Sequence, residues 1–410
     1  MIGVARTRLA LVVPSLAMGG GVPAVARFIK DAALRSGKFD IRLVSLSVAA
    51  DDSASLRLTS PGTWMRGPTT STGEWEGLPF VHVGALVTEF EFQRHRSRAV
   101  LTDVVADCDL IQVVAGSPAC AIAVFGLGKP VAVHCATRAK IERRRRDSHP
   151  TSLSGWWRRG MTSIIDTMDD RALCTVDAVQ VMNPWMLEYA QKLNVGREMD
   201  LRYAPPGVDA DLFHPLAERK LTDDPYILCV GRLDDPRKNI ELLLQAYSRL
   251  PAALISQVQL VLAGAAGPPP YFWSQVEALG LRDRVIYVAH PERKALVSLY
   301  QRAALFALPS DEEGFGMVVI EAMACGIPVV STRSGGPDGI IANGHDGFLV
   351  PLDDAEAMAV RLTQLLHDAT LNAEMGCQAR RTIERRYDER VAGDAFIDIW
   401  QRMAHKAGTS

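Results

Sequence analysis

Two glutamates, Glu313 and Glu321, stand eight residues apart on either side of Gly314-Phe315-Gly316-Met317-Val318, where a glycine-rich turn passes into an apolar helical stretch. Glu313 precedes that helix and Glu321 lies inside it, so the pair cannot present both carboxylates to one atom for acid–base work. Each addresses a different part of an extended ligand. Between them, the amides of Phe315, Gly316, Met317 and Val318 form a helix N-terminus, whose dipole of about half a charge favours an anion such as a diphosphate. A second loop, Gly231-Arg232-Leu233-Asp234-Asp235-Pro236-Arg237-Lys238-Asn239, supplies cations. Arg232 offers a planar fork and Lys238 a compact charge, which together can neutralise a diphosphate from two directions. Taken alone, the same loop also reads as a solvated charged turn.

A third candidate is Met18-Gly19-Gly20-Gly21-Val22-Pro23-Ala24, after an apolar run and before a helical pattern. Gly20 and Gly21 allow close backbone approach to a phosphate. Read literally, Gly19, Gly21 and Ala24 also satisfy the dinucleotide pattern G-x-G-x-x-G/A of a dehydrogenase. That reading needs an acid about 20–30 residues on, and only Asp51 or Asp52 qualifies, several residues past the second strand. Pro23 sits in the first helical turn besides. His134 ends an apolar run. A lone histidine there is more often a satisfied structural residue than a catalytic one.

These loops must be held by strands. Short β-rich runs at Leu9–Val13, Ile41–Leu46, Leu110–Val114 and Val131–His134 alternate with helical patterns from Val22, near Arg94–Ala106 and near Ala119. A second series begins at Tyr226–Val230 and continues through Gln259–Leu262, Val285–Val288, Leu305–Leu308 and Val329–Ser331. Such alternation predicts βαβ units and two doubly wound parallel sheets, with ligands at the carboxyl ends of the strands. Pro205, Pro206, Gly207 and Pro215 break both patterns and place the boundary and hinge near Ala204–Asp224.

The chain has 410 residues and a net charge of −2, which excludes a small stapled scaffold and gives no overall field for nucleic acid. The charge is uneven: residues 1–200 carry 24 basic and 20 acidic side chains, whereas residues 201–410 carry 21 and 27. Seven scattered cysteines lack ligand spacing and read as reduced core thiols of a cytoplasmic protein. Arg6 and Arg8 before Leu9–Ala17 imitate a signal peptide, but Pro14 and the glycines that follow suit a first strand better. No run of 18 apolar residues occurs, so no segment is expected to span a membrane.

Two stretches stand apart. Ser53 to Gly77 is rich in Ser, Thr, Gly and Pro with isolated Trp64 and Trp75, which reads either as a mobile binding loop or as a disordered insertion. Arg138 to Arg159 holds Arg143–Arg146 and Trp156-Trp157-Arg158-Arg159. It reads as a surface for anionic lipid or an acidic glycan, or as a solvated helix face with two packed tryptophans.

The E-x7-E element and the G-R-L loop resemble the retaining glycosyltransferases of family 4, which have the GT-B fold. Pro206-Gly207-Val208-Asp209 with Phe213, the run Glu321 to Val330, and Gly335-Gly336 through Val350 agree with that family; the first half matches only loosely. The resemblance implies two Rossmann-like domains facing a central cleft: an acceptor domain, 1–205, joined by a C-terminal helix, 388–410, and a nucleotide-sugar domain, 206–387. It implies that Glu313 contacts the donor sugar and Glu321 the ribose. Arg232, Lys238, Gly20 and Gly21 would hold the diphosphate, and His134 would lie near the sugar. Lys140 and Arg138 follow that histidine and would face donor phosphate or acceptor.

The reaction implied is metal-independent and cofactor-free. A hexose passes from a UDP- or GDP-linked donor to a hydroxyl acceptor with retained α-configuration. Hinge closure would exclude water. Rival readings on the same fold are a nucleotide-sugar epimerase, a sugar phosphorylase and a non-catalytic sugar-nucleotide-binding subunit. The sequence departs from the family at Ala304, where an aspartate is usual, at Gly264-Ala265-Ala266-Gly267, and at Asp338 in a shortened G-G-x-x-E element.

Overall fold

The computed structural model describes residues 6–16, 21–148, 151–217 and 224–408. The chain divides into two compact units, Met1–Pro206 with Ala392–Ser410, and Gly207–Val391. Both are α/β units built on largely parallel sheets, the class expected from the alternating pattern.

Unit 1 holds an eight-stranded sheet: β1 (Thr7–Pro14), β2 (Phe39–Leu46), β3 (Thr70–Trp75), β4 (Leu78–Val83), β5 (Leu110–Ala115), β6 (Val131–Cys135), β7 (Ala178–Val181) and β8 (Asp200–Tyr203). Their order is β3-β4-β2-β1-β5-β6-β7-β8. The central strands β1, β5 and β6 are buried on both faces, which is why they read as near-continuous apolar runs rather than as alternations. Helix α1 (Gly21–Ser36) follows β1, and α2 (Leu153–Thr175) is the longest helix among the described residues.

The stretch from Ser53 to Gly77 is folded, not a disordered insertion. Its second half is β3, paired antiparallel to β4 across the two-residue turn Glu76-Gly77, both at positive φ (52° and 75°) as such a hairpin turn requires. Its first half is pinned by backbone bonds from Thr69 to Ala54 and from Leu56 to Ala85. Gly84 packs so closely there that a Cβ would sit 2.0 Å from the Ala54 carbonyl oxygen. Strand β3 escaped a period-2 reading because Thr-Ser-Thr-Gly-Glu-Trp is a polar edge with almost no buried face. The expected helix near Ala119 is a tighter 3-10 stretch, Pro118–Val124, and the one near Arg94–Ala106 is two short helices, Glu91–Arg94 and Ala99–Val105.

Unit 2 holds six parallel strands: β9 (Tyr226–Val230), β10 (Gln259–Gly264), β11 (Val285–Ala289), β12 (Leu305–Leu308), β13 (Val329–Thr332) and β14 (Phe348–Val350), ordered β11-β10-β9-β12-β13-β14. Order reverses between β9 and β12, so the loops after these two strands lie side by side at the carboxyl edge, where open α/β sheets bind ligands. Helices α3 (Ile240–Ser248), α4 (Arg293–Arg302) and α5 (Met317–Ala324) flank the sheet.

The final helix, α6 (Glu389–Gly408), returns to unit 1 from Ala392 onward. Phe396 and Trp400 are fully buried, edge-on to Phe28 and Phe39 respectively. The Trp400 indole N–H donates to Gln112 Oε1 at 2.7 Å, so a polar atom in the middle of β5 is satisfied by a residue 288 positions away. Arg402 reaches Asp200 on β8 at 2.8 Å. Removing the indole leaves both a cavity and an unpaired amide. Trp400→Ala should therefore destabilise unit 1 by about 3–5 kcal/mol, read as a lower urea midpoint at unchanged slope.

Candidate functional site

The G-R-L loop leaves β9 under tight backbone control. A Cβ on Gly264 would lie 1.9 Å from the Gly231 carbonyl oxygen, so the ends of β9 and β10 touch only because residue 264 has no side chain. The Leu233 amide bonds to the Ala266 carbonyl at 3.1 Å and its side chain is buried, which anchors the loop's middle. Asp235 caps the 3-10 turn Pro236–Lys238, and Asn239, left-handed at φ 41°, caps α3. The Asn239 amide also donates to Asp311 Oδ1 at 2.6 Å, tying the loop after β9 to the loop after β12.

These constraints aim Lys238 at Glu313. Lys238 Nζ lies 2.5 Å from Glu313 Oε2, and both side chains are mostly buried. Arg232 sits on the same loop with its guanidinium half exposed, 3.1 Å from Asp235. Arg237 braces the loop instead of facing outward, pairing with Asp235 at 2.8 Å and Glu312 at 3.1 Å. Burial pushes the Asp235 carboxyl upward, but the bonds from Arg237 outweigh it and hold the group below the usual carboxylate range.

Glu313 is fixed through its backbone: its amide donates to Ser334 and its carbonyl accepts from Gly336. Gly336 must be glycine, since a Cβ would sit 2.3 Å from the Phe315 carbonyl oxygen. Gly316, at φ 101°, caps α5 and turns the chain into it. Met317 and Val318 open that helix, where the first amides have no intrahelical acceptor. The Phe315 ring is core, packed against Tyr387, so this residue offers only backbone. Asp338 takes the Gly335 amide at 2.9 Å and so braces the glycine pair.

Glu321 lies one turn into α5, and the Tyr300 hydroxyl donates to its Oε2 at 2.8 Å. Burial, then the neighbouring Glu321, drives that phenol well above its ordinary range, so it remains a donor. No sequence signal marks Tyr300: three residues after Val297, it reads as core spacing.

In unit 1 the expected positions fare differently. Gly20 lies outside the described residues. Gly21 opens α1 with open space where a Cβ would be, so its local packing does not demand glycine. His134 is fully buried on β6, its Nε2 donating to the Ala204 carbonyl at 2.9 Å and its ring 5.2 Å from that of Phe396. That differs from the expected place beside a sugar: the ring faces the unit's own core. Burial pulls its pKa down to about 4, against the bond to Ala204. Arg138 is likewise occupied, paired with Asp166 at 3.0 Å and Asp170 at 2.8 Å over the Tyr189 ring. Lys140 is exposed. Of the cysteines, Cys377 is exposed and Cys174 half-buried, so not all are core thiols.

Residues 214–382 match the family described as "Glycosyl transferases group 1". The chain is 34% identical over 229 residues to the D-inositol 3-phosphate glycosyltransferase of Xylanimonas cellulosilytica, covering 52% of this chain and 54% of that protein. It is 30% identical over 219 residues to the GDP-mannose-dependent alpha-(1-6)-phosphatidylinositol monomannoside mannosyltransferase of Mycolicibacterium smegmatis, covering 50% and 57%. The chain thus spans about half the length of the curated relatives it matches. The sucrose-phosphate synthase from Thermosynechococcus elongatus superposes with a TM-score of 0.75 at 20% identity over 97% of this chain and 99% of that one, a likeness of fold.

Two imidazoles of unit 1, His134 and His95, are held at about 4 by burial, which for His95 outweighs the opposing charge of Glu91. A depressed histidine contributes stability that is present above its unfolded value of about 6.5 and is lost as pH falls through about 4. Each contribution is at most about 3 kcal/mol. The two imidazoles should therefore lower the melting temperature of unit 1 from pH 7 to pH 4, opposed by the buried Asp169, whose carboxyl, raised to about 6, adds stability as pH falls. His134→Gln, which keeps a donor for Ala204 but does not titrate, should remove about half of the histidine-linked loss, as read from melting temperature against pH.

Proposed function

We propose that this chain, which carries a glycosyl transferases group 1 domain over residues 214–382, transfers a hexose from a nucleotide diphosphate sugar to a hydroxyl acceptor. The carrying observation is the Lys238–Glu313 pair, which sets an ammonium and a carboxylate in contact between two strand-end loops, next to the N-terminus of α5. A sugar diphosphate needs both: cations for the phosphates and an acceptor for sugar hydroxyls. On entry of the donor, Lys238 would share its charge with the diphosphate, joined by the half-exposed Arg232 and the first amides of α5. Glu313, held by its backbone, would accept from the sugar hydroxyls. Glu321 would take the ribose, with its Oε2 oriented by Tyr300.

The barrier lies in separating an anionic diphosphate from a sugar that gains oxocarbenium character. Preorganised positive groups at the leaving oxygens stabilise the charge that develops there. We assign retention to same-face attack: the bond from the anomeric carbon to phosphate oxygen breaks while the acceptor oxygen bonds on the same face, and its proton passes to the departing phosphate. The donor we propose is UDP- or GDP-linked. The name of the M. smegmatis relative, which prints GDP-mannose, supports the second.

A panel of nucleotide sugars, each measured for binding and for slow hydrolysis or transfer, tests the reading. Glu313→Ala, Lys238→Ala and Arg232→Ala should each lower turnover, by about 10²–10³ for a group acting on transition-state charge. Near-normal rates in all three would sink the site. Binding of a nucleotide sugar without turnover would make the chain a sugar-nucleotide-binding subunit. Tyr300→Phe should raise the KM for the donor about five- to tenfold with kcat little changed, since it removes one bond that orients the Glu321 carboxylate without touching the reacting atoms.

A further inference from the structure

The two tryptophan-bearing stretches lie about ninety positions apart in sequence, yet the structure fastens both to one short connection, residues 89–91. The Thr59 amide and hydroxyl both donate to Glu89 Oε1 at 3.1 Å. The Phe90 ring lies 5.9 Å from that of Trp157. Glu91 accepts from Arg143, which is half-buried and thereby removed from the run of free surface charges.

From this anchorage two exposed apolar elements emerge. The turn after Thr59 exposes Trp64 (55%) and leaves Met65 wholly open. Helix α2 exposes Leu153 almost completely, Trp156 at 59% and Trp157 at 53%, then Ile164. With Gly160, those α2 positions follow helical spacing i, i+3, i+4, i+7 and i+11 and form a single stripe. The stripe lies opposite the buried face made by Thr162, Ile165, Asp169 and Leu173. A core helix carries its apolar stripe inward; this one carries a second stripe outward.

The charge around both elements is positive. Arg66, Arg144, Arg158 and Arg159 are exposed, and Arg159 stacks over Trp156 at 5.7 Å. The nearby acids are engaged: Asp147 with Arg146 and Thr162, Glu89 with Thr59. Among the described residues no helix is long and apolar enough to cross a membrane.

We infer that the turn bearing Trp64-Met65 and the start of α2 form one docking surface for an anionic phospholipid bilayer, bound peripherally. Tryptophans settle at headgroup level, Leu153 and Met65 reach the acyl boundary, and the guanidinium groups meet lipid phosphates. A second copy of the chain fits less well, because its arginines would face the same arginines. The surface does not depend on the reaction proposed above.

Flotation of the full chain with vesicles of phosphatidylcholine alone, or with about a third phosphatidylglycerol, tests it. Binding is expected only to the anionic vesicles and should be lost in about 0.5 M salt, where the screening length falls to a few ångströms. Arg158→Glu with Arg159→Glu should weaken it by about fivefold or more per arginine. Leu153→Ser with Trp156→Ala, and separately Trp64→Ala with Met65→Ser, should each reduce it while leaving the melting temperature unchanged. No binding to anionic vesicles, or equal binding to neutral ones, overturns the inference. So does loss from the α2 pair alone with the Trp64-Met65 pair silent. Concentration-dependent self-association abolished by the same substitutions would assign the surface to a second copy instead.

Discussion

An ammonium and a carboxylate held 2.5 Å apart in a mostly buried setting, Lys238 and Glu313, are the constraint on which unit 2 is arranged. Taking both charges out of water costs several kcal/mol per ion, and their mutual attraction roughly returns it when the geometry is good. Replacing such a pair by apolar side chains is often neutral or stabilising, so stability alone gives weak reason to keep it. A site that must receive a phosphate has a better one. Without Glu313 the lysine would be an uncompensated buried cation before the donor arrives; with it, the cation is compensated and aimed, and the diphosphate finds it preorganised.

Holding that geometry falls to the backbone. Gly264 and Gly336 each touch a neighbouring carbonyl so closely that any side chain would displace a strand end or the start of α5. Asn239 accepts a left-handed conformation to cap α3 and donates to Asp311 across the two loops. These residues contact no ligand in the proposed reaction, yet they decide where Lys238 and Glu313 point. Replacing Gly336 would shift Phe315 and with it the first amides of α5, so one backbone contact governs both the carboxylate and the helix terminus.

The second half of the chain was legible because all of its strands but β11 are buried on both faces. Tyr226–Val230 and Leu305–Leu308 stand out as continuous apolar runs, and the residues with chemistry follow them directly. Glu313 before a helix and Glu321 within it could be read from glycine placement alone. What escaped was set by tertiary context. The Tyr300 hydroxyl is hidden in core spacing, and β3 is a polar edge strand defined by its partner. His134 illustrates the limit most clearly. Its position at a strand end was correct, but which side of the sheet its ring faces depends on α6, 262 residues away at Phe396, and no local pattern carries that.

Helix α2 is fixed on one face and open on the other. Its buried Asp169 accepts from Ser117 and the Ala119 amide on one oxygen and from the Ala139 amide on the second, stapling the loops that follow β5 and β6. Burial pushes that carboxyl up to about 6 in spite of those bonds. In unit 2 a carboxylate is compensated by a lysine; here two backbone amides and a hydroxyl do it. Beside Asp169, Asp166 and Asp170 take Arg138. Three acids within two turns thus commit one face of α2 to the strand ends of unit 1. The helix cannot roll to hide Leu153 and Trp156 without breaking all of these contacts. The outward stripe is therefore held exposed by the polar network beneath it.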